Sequence, residues 1–344
     1  MVESDTLFFR IFIKEWHVLY IKFHWSINLY SKLVKSIFII SCGLSLYSHS
    51  VDITFGSIEV IEFNSDVIGA REISLYQPHS IEINSQTRFI IFQDGQMLFD
   101  ASRSWNKQEW RLDETFLELN NENIRPNMVI IGVNSANKSG KEFFDNTNRY
   151  LEYFPKQAVE YMDAGFVRFG YNRMANKPRY QYLDFVVKEL IPFLEIRYDT
   201  TLNRQNLGIM GASMGALAAL NAILEYPDLF GFAGCFSTHW VGIKPLEYLT
   251  LMFRKNIKGD QKTIDALVEY VRDMIPNLDS HQLYFDRGTA GLDKSYRDPQ
   301  IRIDSILEKS SIDFESLVFE GEDHQEKFWA KRFKAWLVKM QERM

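Results

Sequence analysis

The sequence predicts an α/β protein with a mostly parallel central sheet, and its hydrophobic pattern carries that prediction. Two early segments alternate apolar and polar residues, later segments are continuous apolar runs of strand length, and stretches with helical spacing lie between them. Continuous apolar runs are typical of strands that are buried on both faces of a parallel sheet. Because strands and helices alternate, we expect helices on both faces of this sheet.

Each element is predicted from a short stretch of sequence. The alternating segments predict antiparallel N-terminal strands in ITFGSIEVIEFNS and GAREISLYQP. Further strands are predicted in TRFIIFQDGQ, NMVIIGVNS, NLGIMGAS, AGCFST, HQLYFDRGT and ESLVFEG. Apolar residues recur at helical spacing in YLDFVVKELIPFLEIRY, TIDALVEYVRDMI and EKFWAKRFKAWLVKM.

Composition limits the class of protein. The chain has 344 residues, of which 46% are hydrophobic, enough for a sizeable core. No repeat or Pro/Gly-rich linker interrupts residues 51–344, so we predict one domain there, with a small cap-like insertion near residues 241–280. A net charge of −6 argues against a nucleic-acid partner. The basic stretch RFKAWLVK is interpreted as the solvated side of a helix.

The two cysteines lie at Cys42 and Cys235, with no CxxC pair and no Cys/His cluster at metal-ligand spacing. We therefore expect neither a disulfide framework nor a metal site, and no motif in the sequence implies an organic cofactor.

Residues 1–50 differ from the remainder of the chain. KLVKSIFIISCGLSLYSHS contains two lysines, then a short apolar run, then small residues at Ser48 and Ser50, which is the order of a secretory signal peptide. This pattern predicts a leader and an exported protein, periplasmic or secreted. Two alternatives stay open. Cys42 lies in a stretch that resembles a lipoprotein box, and an uncleaved segment would leave a cytoplasmic protein with transient membrane contact through its N-terminus.

A serine between two glycines suggests a nucleophile. Gly211-Ala212-Ser213-Met214-Gly215 fits the pattern G-x-S-x-G, with a predicted strand before it and a predicted helix after it. Such a turn is sharp, so larger side chains at the two glycines would collide with neighbouring backbone. The serine itself adopts strained backbone angles that expose its hydroxyl at a helix N-terminus. An ordinary Gly-rich packing turn is the alternative.

A serine nucleophile needs a base, and His324 has the best position among the histidines. It follows the last predicted strand and precedes the C-terminal helix. Hydrolases with this kind of elbow carry the triad in the order serine, acid, histidine, and only His281 and His324 leave room for an acid. His281 precedes a strand, where a structural role is usual. His239 follows a strand and is expected to line the pocket.

The acid is expected in the loop after the strand HQLYFDRGT. Asp293 lies within that loop, Asp286 ends the strand, and Asp298 is a weaker candidate. A loop aspartate reaches an imidazole more easily, whereas an aspartate inside YFDRGT can brace the turn. We favour Asp293 and keep Asp286 as the alternative.

Four separated motifs resemble one family. FIIFQDGQMLFD, GIMGASMGALAAL with its following EYPDLFGFAGCFS, YFDRGT with a following LD, and EGEDHQEKFWAKRF occur in this order over roughly residues 55–340. They are similar to the putative-esterase family of α/β-hydrolases, which includes ferric-siderophore esterases, feruloyl esterases and S-formylglutathione hydrolase. The resemblance implies an α/β-hydrolase fold. Many members carry an acid where this chain has Gly291.

The resemblance also implies roles for individual residues. Ser213 would be the nucleophile and His324 the base, while the backbone N–H groups of Met214 and Gln96 would form the oxyanion hole. Asp94 and Gly95, beside Gln96, would line the substrate pocket. The position of Trp240 directly after a strand predicts that its ring also borders the acyl group, with packing in the core as the alternative.

These expectations predict a serine esterase that acts on a small-molecule ester through an acyl-enzyme on Ser213. Transfer of the acyl group to an alcohol is one alternative, since the same intermediate can be captured by a hydroxyl group. A catalytically silent binding protein with the same fold is another. The residues of the loops that would shape the pocket do not name the ester.

Overall fold

A computed structural model describes residues 51–79, 81–136, 145–242 and 259–342 of the chain. These residues belong to one compact unit that covers Leu46–Met344. The predicted leader, residues 1–50, lies outside the described residues, and so does most of the predicted cap, because residues 243–258 are not described. Signal cleavage and export therefore stay predictions.

The central sheet contains eight strands in the order β1-β2-β4-β3-β5-β6-β7-β8. The two N-terminal strands are antiparallel to their neighbours, and β4, β3 and β5 to β8 run parallel to one another. The strand bounds are β1 Ser57–Ser65, β2 Gly69–Gln77, β3 Arg88–Gln93, β4 Met128–Val133, β5 Leu207–Ala212, β6 Phe232–Phe236, β7 Gln282–Gly288 and β8 Asp313–Phe319. The predicted α/β-hydrolase fold, with a mostly parallel sheet and antiparallel N-terminal strands, is confirmed.

Helices cover both faces of the sheet. Their bounds are α1 Leu112–Asn121, α2 Asp145–Tyr153, α3 Phe166–Ala175, α4 Tyr182–Phe185, α5 Ile191–Tyr198, α6 Met214–Glu225, α7 Gln261–Met274, α8 Arg297–Leu307 and α9 Glu326–Glu342. Short 3₁₀ turns occur at Gly95–Met97, Gln157–Tyr161, Pro178–Tyr180, Ile275–Asn277 and Asp293–Tyr296. None of the described helices is long and apolar enough to cross a membrane.

Alternation along the strands explains the two layers of core. On β3, Phe89 and Ile91 point into one hydrophobic cluster, while Ile90 and Phe92 point into the other. Helix α6 packs in the first cluster, and α1 and α9 pack in the second. Continuous apolar runs such as RFIIF fit this arrangement because both faces of the strand are covered.

The sequence did not predict helices α1, α2, α3 and α8, and one predicted helix is interrupted. YLDFVVKELIPFLEIRY forms α4 and α5, joined by a π-helical turn at Val186–Leu190. Pro192, at the start of α5, lacks an N–H and clashes with the carbonyl four residues earlier. A π turn at this position is one of the ways in which a helix accommodates such a proline.

Candidate active site

Ser213 lies in the sharp turn between β5 and α6. Its backbone angles are φ 58° and ψ −123°, a conformation that L-residues rarely adopt. A Cβ atom on Gly211 would lie 2.6 Å from the Gly215 carbonyl carbon, and one on Gly215 would lie 2.8 Å from the Gln93 Cβ. The turn therefore requires both glycines of the G-x-S-x-G pattern.

Backbone hydrogen bonds tie this turn to the end of β6. The Ser213 N–H donates to the Phe236 carbonyl at 3.0 Å, and the His239 N–H donates to the Ser213 carbonyl at 3.2 Å. These bonds hold the strained residue at the carboxyl edge of the sheet, where ligands bind in open parallel sheets.

His324 and Asp293 meet at the same edge. The His324 Nδ1 lies 2.6 Å from the Asp293 Oδ1, and the aspartate side chain is fully buried. Its other oxygen accepts from the Ser237 hydroxyl at 2.6 Å and the Gly288 N–H at 2.7 Å. Burial alone would raise the pKa of Asp293, but the His324 hydrogen bond and charge, with these two donors, hold that pKa below its ordinary value.

Asp286, the alternative acid, has different partners. Its Oδ1 accepts from Arg332 at 2.9 Å and from the Ser237 N–H at 3.0 Å, and its Oδ2 accepts from the Tyr284 hydroxyl at 3.0 Å. Asp298 is exposed on α8. The geometry thus brings Asp293, and neither of the other two candidates, onto the imidazole.

Gly291 occupies a position where a side chain does not fit. Its φ is +51°, and a Cβ there would overlap the Asp323 carboxylate, which accepts the N–H groups of Leu292 and His324 at 3.2 Å and 2.7 Å. An acidic side chain at position 291 would therefore displace the Asp323 carboxylate from these two hydrogen bonds.

The loop after β3 lies beside the serine turn. Asp94 has a left-handed conformation with φ 58°, and its Oδ2 lies 3.0 Å from the point where a Gly215 Cβ would be. Arg149 donates to both Asp94 oxygens at 2.6 Å each. Gln96 exchanges two side-chain hydrogen bonds with Ser135, at 2.8 Å and 3.1 Å. Asp94, Gly95, Gln96 and Met214 therefore lie near one another at the edge of the sheet.

Arg149 is held between two aromatic rings. Its guanidinium carbon lies 5.4 Å from the centroid of the Trp105 ring and 5.4 Å from that of Tyr153. Burial would lower the pKa of Arg149, but the charge and hydrogen bonds of Asp94 outweigh burial and raise it. The arginine is therefore a permanent cation at the rim of the site.

A second histidine, His239, contacts the backbone of Ser213. The His239 Nδ1 is 2.8 Å from the Tyr296 hydroxyl, and both side chains are buried. Burial raises the pKa of Tyr296 well above its ordinary value, and the Ser213 side chain acts on that pKa in the opposite direction. Burial, together with the charges of His324 and Arg149, lowers the pKa of His239 to about 3, so this ring is neutral near pH 7 and too weakly basic to act as the base.

Two sequence-based interpretations are wrong. Trp240 does not border a pocket, because its ring is fully buried and its indole N–H donates to the Gln300 side chain at 2.8 Å. RFKAWLVK is not uniformly solvated, because the Arg332 side chain is fully buried beside Asp286 and Asp293. His281 has the structural position expected of it, with its Nε2 2.8 Å from the Pro227 carbonyl.

Sequence reasoning also missed Ser237, Tyr296 and Arg332. A signal for Arg332 was present, because it follows Trp329 by three residues and precedes Trp336 by four, which places all three on one helix face. Ser237 and Tyr296 carried no comparable signal.

In the part of the chain that the structure describes, no group of three or more His, Cys, Asp or Glu side chains could hold a metal ion.

Comparison with known proteins adds family information. A family model described as "Putative esterase" matches residues 69–344. The uncharacterized protein YbbA of Bacillus subtilis (strain 168) is 30% identical over 174 residues, which cover 50% of this chain and 58% of YbbA. The uncharacterized protein YjcH of the same organism is 26% identical over 167 residues, 46% of this chain and 59% of YjcH. The matched region thus spans less than two thirds of either relative.

Solved structures share the fold at low sequence identity. A ferulic acid esterase has a TM-score of 0.55 at 17% identity, covering 84% of this chain and 99% of that protein. An S-formylglutathione hydrolase from Agrobacterium tumefaciens has a TM-score of 0.57 at 15% identity, covering 85% and 97%. The enterobactin hydrolase IroE has a TM-score of 0.53 at 18% identity, covering 84% and 97%. At these identities the likeness is one of fold.

Proposed function

Because the chain belongs to the putative-esterase family, we propose that this protein is a serine hydrolase that cleaves a carboxylic ester of a small molecule. The observation that carries the proposal is the 2.6 Å contact between the His324 Nδ1 and the Asp293 carboxylate, at the edge of the sheet where Ser213 sits in its strained turn. This is how a triad orients its base.

In the proposed reaction, the Ser213 hydroxyl attacks the ester carbonyl while the Nε2 of His324 takes its proton. Asp293 fixes the tautomer of the imidazole and stabilises the imidazolium that forms. The N–H groups of Met214 and Gln96 donate to the oxyanion of the tetrahedral intermediate. His324 then protonates the leaving alcohol, and water attacks the acyl-enzyme to release the acid and restore Ser213.

The helix that follows Ser213 supports this assignment. Met214 is the first residue of α6, so its N–H has no acceptor four residues earlier within the helix and is free for an anion. The positive end of the helix dipole points to the same place. Gln96, in the loop after β3, is held by its two hydrogen bonds with Ser135.

The proposal is tested with a fluorophosphonate probe and a panel of esters. We expect one equivalent of probe on Ser213, located by peptide mass mapping, and hydrolysis of p-nitrophenyl or aryl esters. Product analysis with an added alcohol separates hydrolysis from acyl transfer. Absence of labelling on folded protein would favour the silent binding protein, and labelling of a different residue would reject Ser213 as the nucleophile.

A further inference from the structure

A buried group of charges lies behind the proposed triad. We name Asp286, Asp293, Ser237 and Arg332 the acid cluster. The two aspartates and the arginine have fully buried side chains. The Arg332 Nη1 lies 2.9 Å from Asp286 Oδ1, 3.1 Å from the Ser237 hydroxyl and 3.8 Å from Asp293 Oδ2. Ser237 joins the acids, since its N–H donates to Asp286 and its hydroxyl donates to Asp293.

The cluster contains two carboxylates and one guanidinium. Burial raises the pKa of Asp286 to about 6, although Arg332 acts in the opposite direction, so Asp286 is ionised above about pH 6. Asp293 is ionised there too, because its pKa is held below the ordinary value. The cluster therefore carries a net charge of −1 near neutral pH. A proton on His324, beside Asp293, would bring that buried charge to zero.

Uncompensated charge is costly in the interior of a protein, so this imbalance would stabilise a positive charge placed next to Asp293, where the His324 Nδ1 lies 2.6 Å away. We propose that Asp286 and Arg332 are positioning residues that set, through the net charge of the acid cluster, how strongly His324 holds the proton. The inference rests on the proposed function only in that Ser213 is taken as the source of this proton.

Other charged groups around the cluster are paired or stay constant. Glu322, which is buried, accepts from Arg332 Nε at 2.8 Å and from the exposed Lys331 at 2.9 Å, so its carboxylate is paired with a lysine outside the cluster. Arg149 is paired with Asp94. The neutral groups nearby are Tyr284, Tyr296, Trp329 and His239. Two further arginines, Arg287 and Arg297, are balanced by two aspartates, Asp298 and Asp304. The remaining charges are the Asp323 carboxylate, which accepts the His324 N–H, and Glu326 at the start of α9.

Three variants test the charge of the cluster: one changes its net charge and two keep it. Asp286→Asn keeps the shape and an acceptor oxygen but brings the net charge to zero. Asp286→Asn combined with Arg332→Met removes both partners and returns the net charge to −1. Arg332→Lys keeps the charge and is the matched control. All three are made in a Ser213→Ala background, and the imidazole of His324 is titrated by NMR and assigned by its loss in His324→Gln.

We expect Asp286→Asn to lower the pH midpoint of the His324 titration by about 0.5–1.5 units, since one anion is lost from a low-dielectric site. The double variant should return to within about 0.3 units of the parent, and so should Arg332→Lys. A purely structural role predicts the opposite order, with the double variant as perturbed as Asp286→Asn or more so. Unchanged midpoints in folded Asp286→Asn would also overturn the inference.

The titration does not depend on ester hydrolysis. If the probe fails to label Ser213 while the midpoints move as expected, the proposed function fails and the charge coupling stands. If the wild-type protein is labelled and hydrolyses esters but the midpoints stay fixed, the proposed function stands and the coupling fails.

Discussion

Arg149 donates two hydrogen bonds of 2.6 Å each to Asp94, and this pair holds a left-handed residue directly beside the serine turn. Asp94 Oδ2 also lies 3.0 Å from the position of a Gly215 Cβ. The loop that carries Gln96 therefore packs against the serine turn through Asp94, whose side chain is fixed by its ion pair with Arg149 on α2. Small displacements of this loop would move a proposed oxyanion donor.

The first prediction concerns this ion pair. Arg149→Met should lower kcat by about 10- to 100-fold with a smaller effect on KM, because misplacing an oxyanion donor weakens binding of the transition state more than binding of the substrate. Arg197→Met is the control, since Arg197 forms an exposed pair with Glu59. Steady-state kinetics on one ester check both variants. An Arg149→Met enzyme within twofold of wild type would contradict the prediction.

Removal of the proposed nucleophile should abolish most activity without affecting the fold. Ser213→Ala is expected to lower ester hydrolysis by about 10³-fold or more, since only binding and oxyanion stabilisation remain. Circular dichroism and the melting temperature should stay close to wild type, because a small side chain replaces another. Ser295→Ala, at an exposed position, is the control. Activity within tenfold of wild type would remove Ser213 from the mechanism.

The two buried aspartates should respond differently to amidation. Asp293→Asn is expected to lower kcat by about 10²–10⁴-fold, because the imidazole loses its orienting partner. Asp286→Asn should mainly lower the free energy of unfolding, by about 1–3 kcal/mol, because it removes one buried charged hydrogen bond from Arg332, which keeps Glu322 and Asp293 as counter-ions. Rates per active site and urea unfolding measure the two effects. The reverse pattern would assign the triad role to Asp286.

Local motifs explain why much of the candidate site could be predicted. Ser213 is marked by its two glycines, and His324 is marked by its place between the last strand and the last helix. Asp293 was favoured over Asp286 because a residue in a loop can turn towards an imidazole more freely than a residue in a strand, and the observed contacts agree with that reasoning.

The errors arise where the direction of a side chain decides the role. Trp240 follows β6 in the chain, but the backbone after Ser237, which has φ 44°, turns the indole into the core. Sequence adjacency to a strand end does not reveal such a turn. Arg332 was assigned to a solvated face because of its charge, although helical spacing from Trp329 and Trp336 indicated the buried face. Charge and periodicity gave conflicting signals, and here periodicity was the better guide.

His239 should make stability depend on pH. Its pKa is about 3 in the folded protein against an ordinary value near 6.5, so the unfolded chain binds more protons between these two values. Its contribution to stability is complete above about pH 6.5 and is lost as the pH falls towards 3. The slope is at most about 1.4 kcal/mol per pH unit.

His239→Gln removes this titration. Urea unfolding of wild type and His239→Gln between pH 4 and pH 8 should therefore show a smaller loss of stability with acid in the variant. Trp240→Phe keeps His239 and should keep the wild-type slope, which controls for general destabilisation next to the same site. Parallel pH profiles for wild type and His239→Gln would show that the ring is not held neutral by the fold.

Trp240 supplies the last prediction, on the stability of the core. Trp240→Ala should lower the free energy of unfolding by about 3–5 kcal/mol through the cavity that it leaves. Trp240→Phe keeps most of the volume but leaves the Gln300 oxygen without the indole donor, so a loss of about 1–3 kcal/mol is expected. Since the indole is fully buried, KM for aryl and acetyl esters should change by the same factor in the folded fraction of each variant. Denaturant unfolding measures the loss of stability. Steady-state kinetics with varied substrate, under conditions where each variant is folded, measure KM. A rise in KM confined to aryl esters would show that the ring contacts substrate, contrary to its buried position.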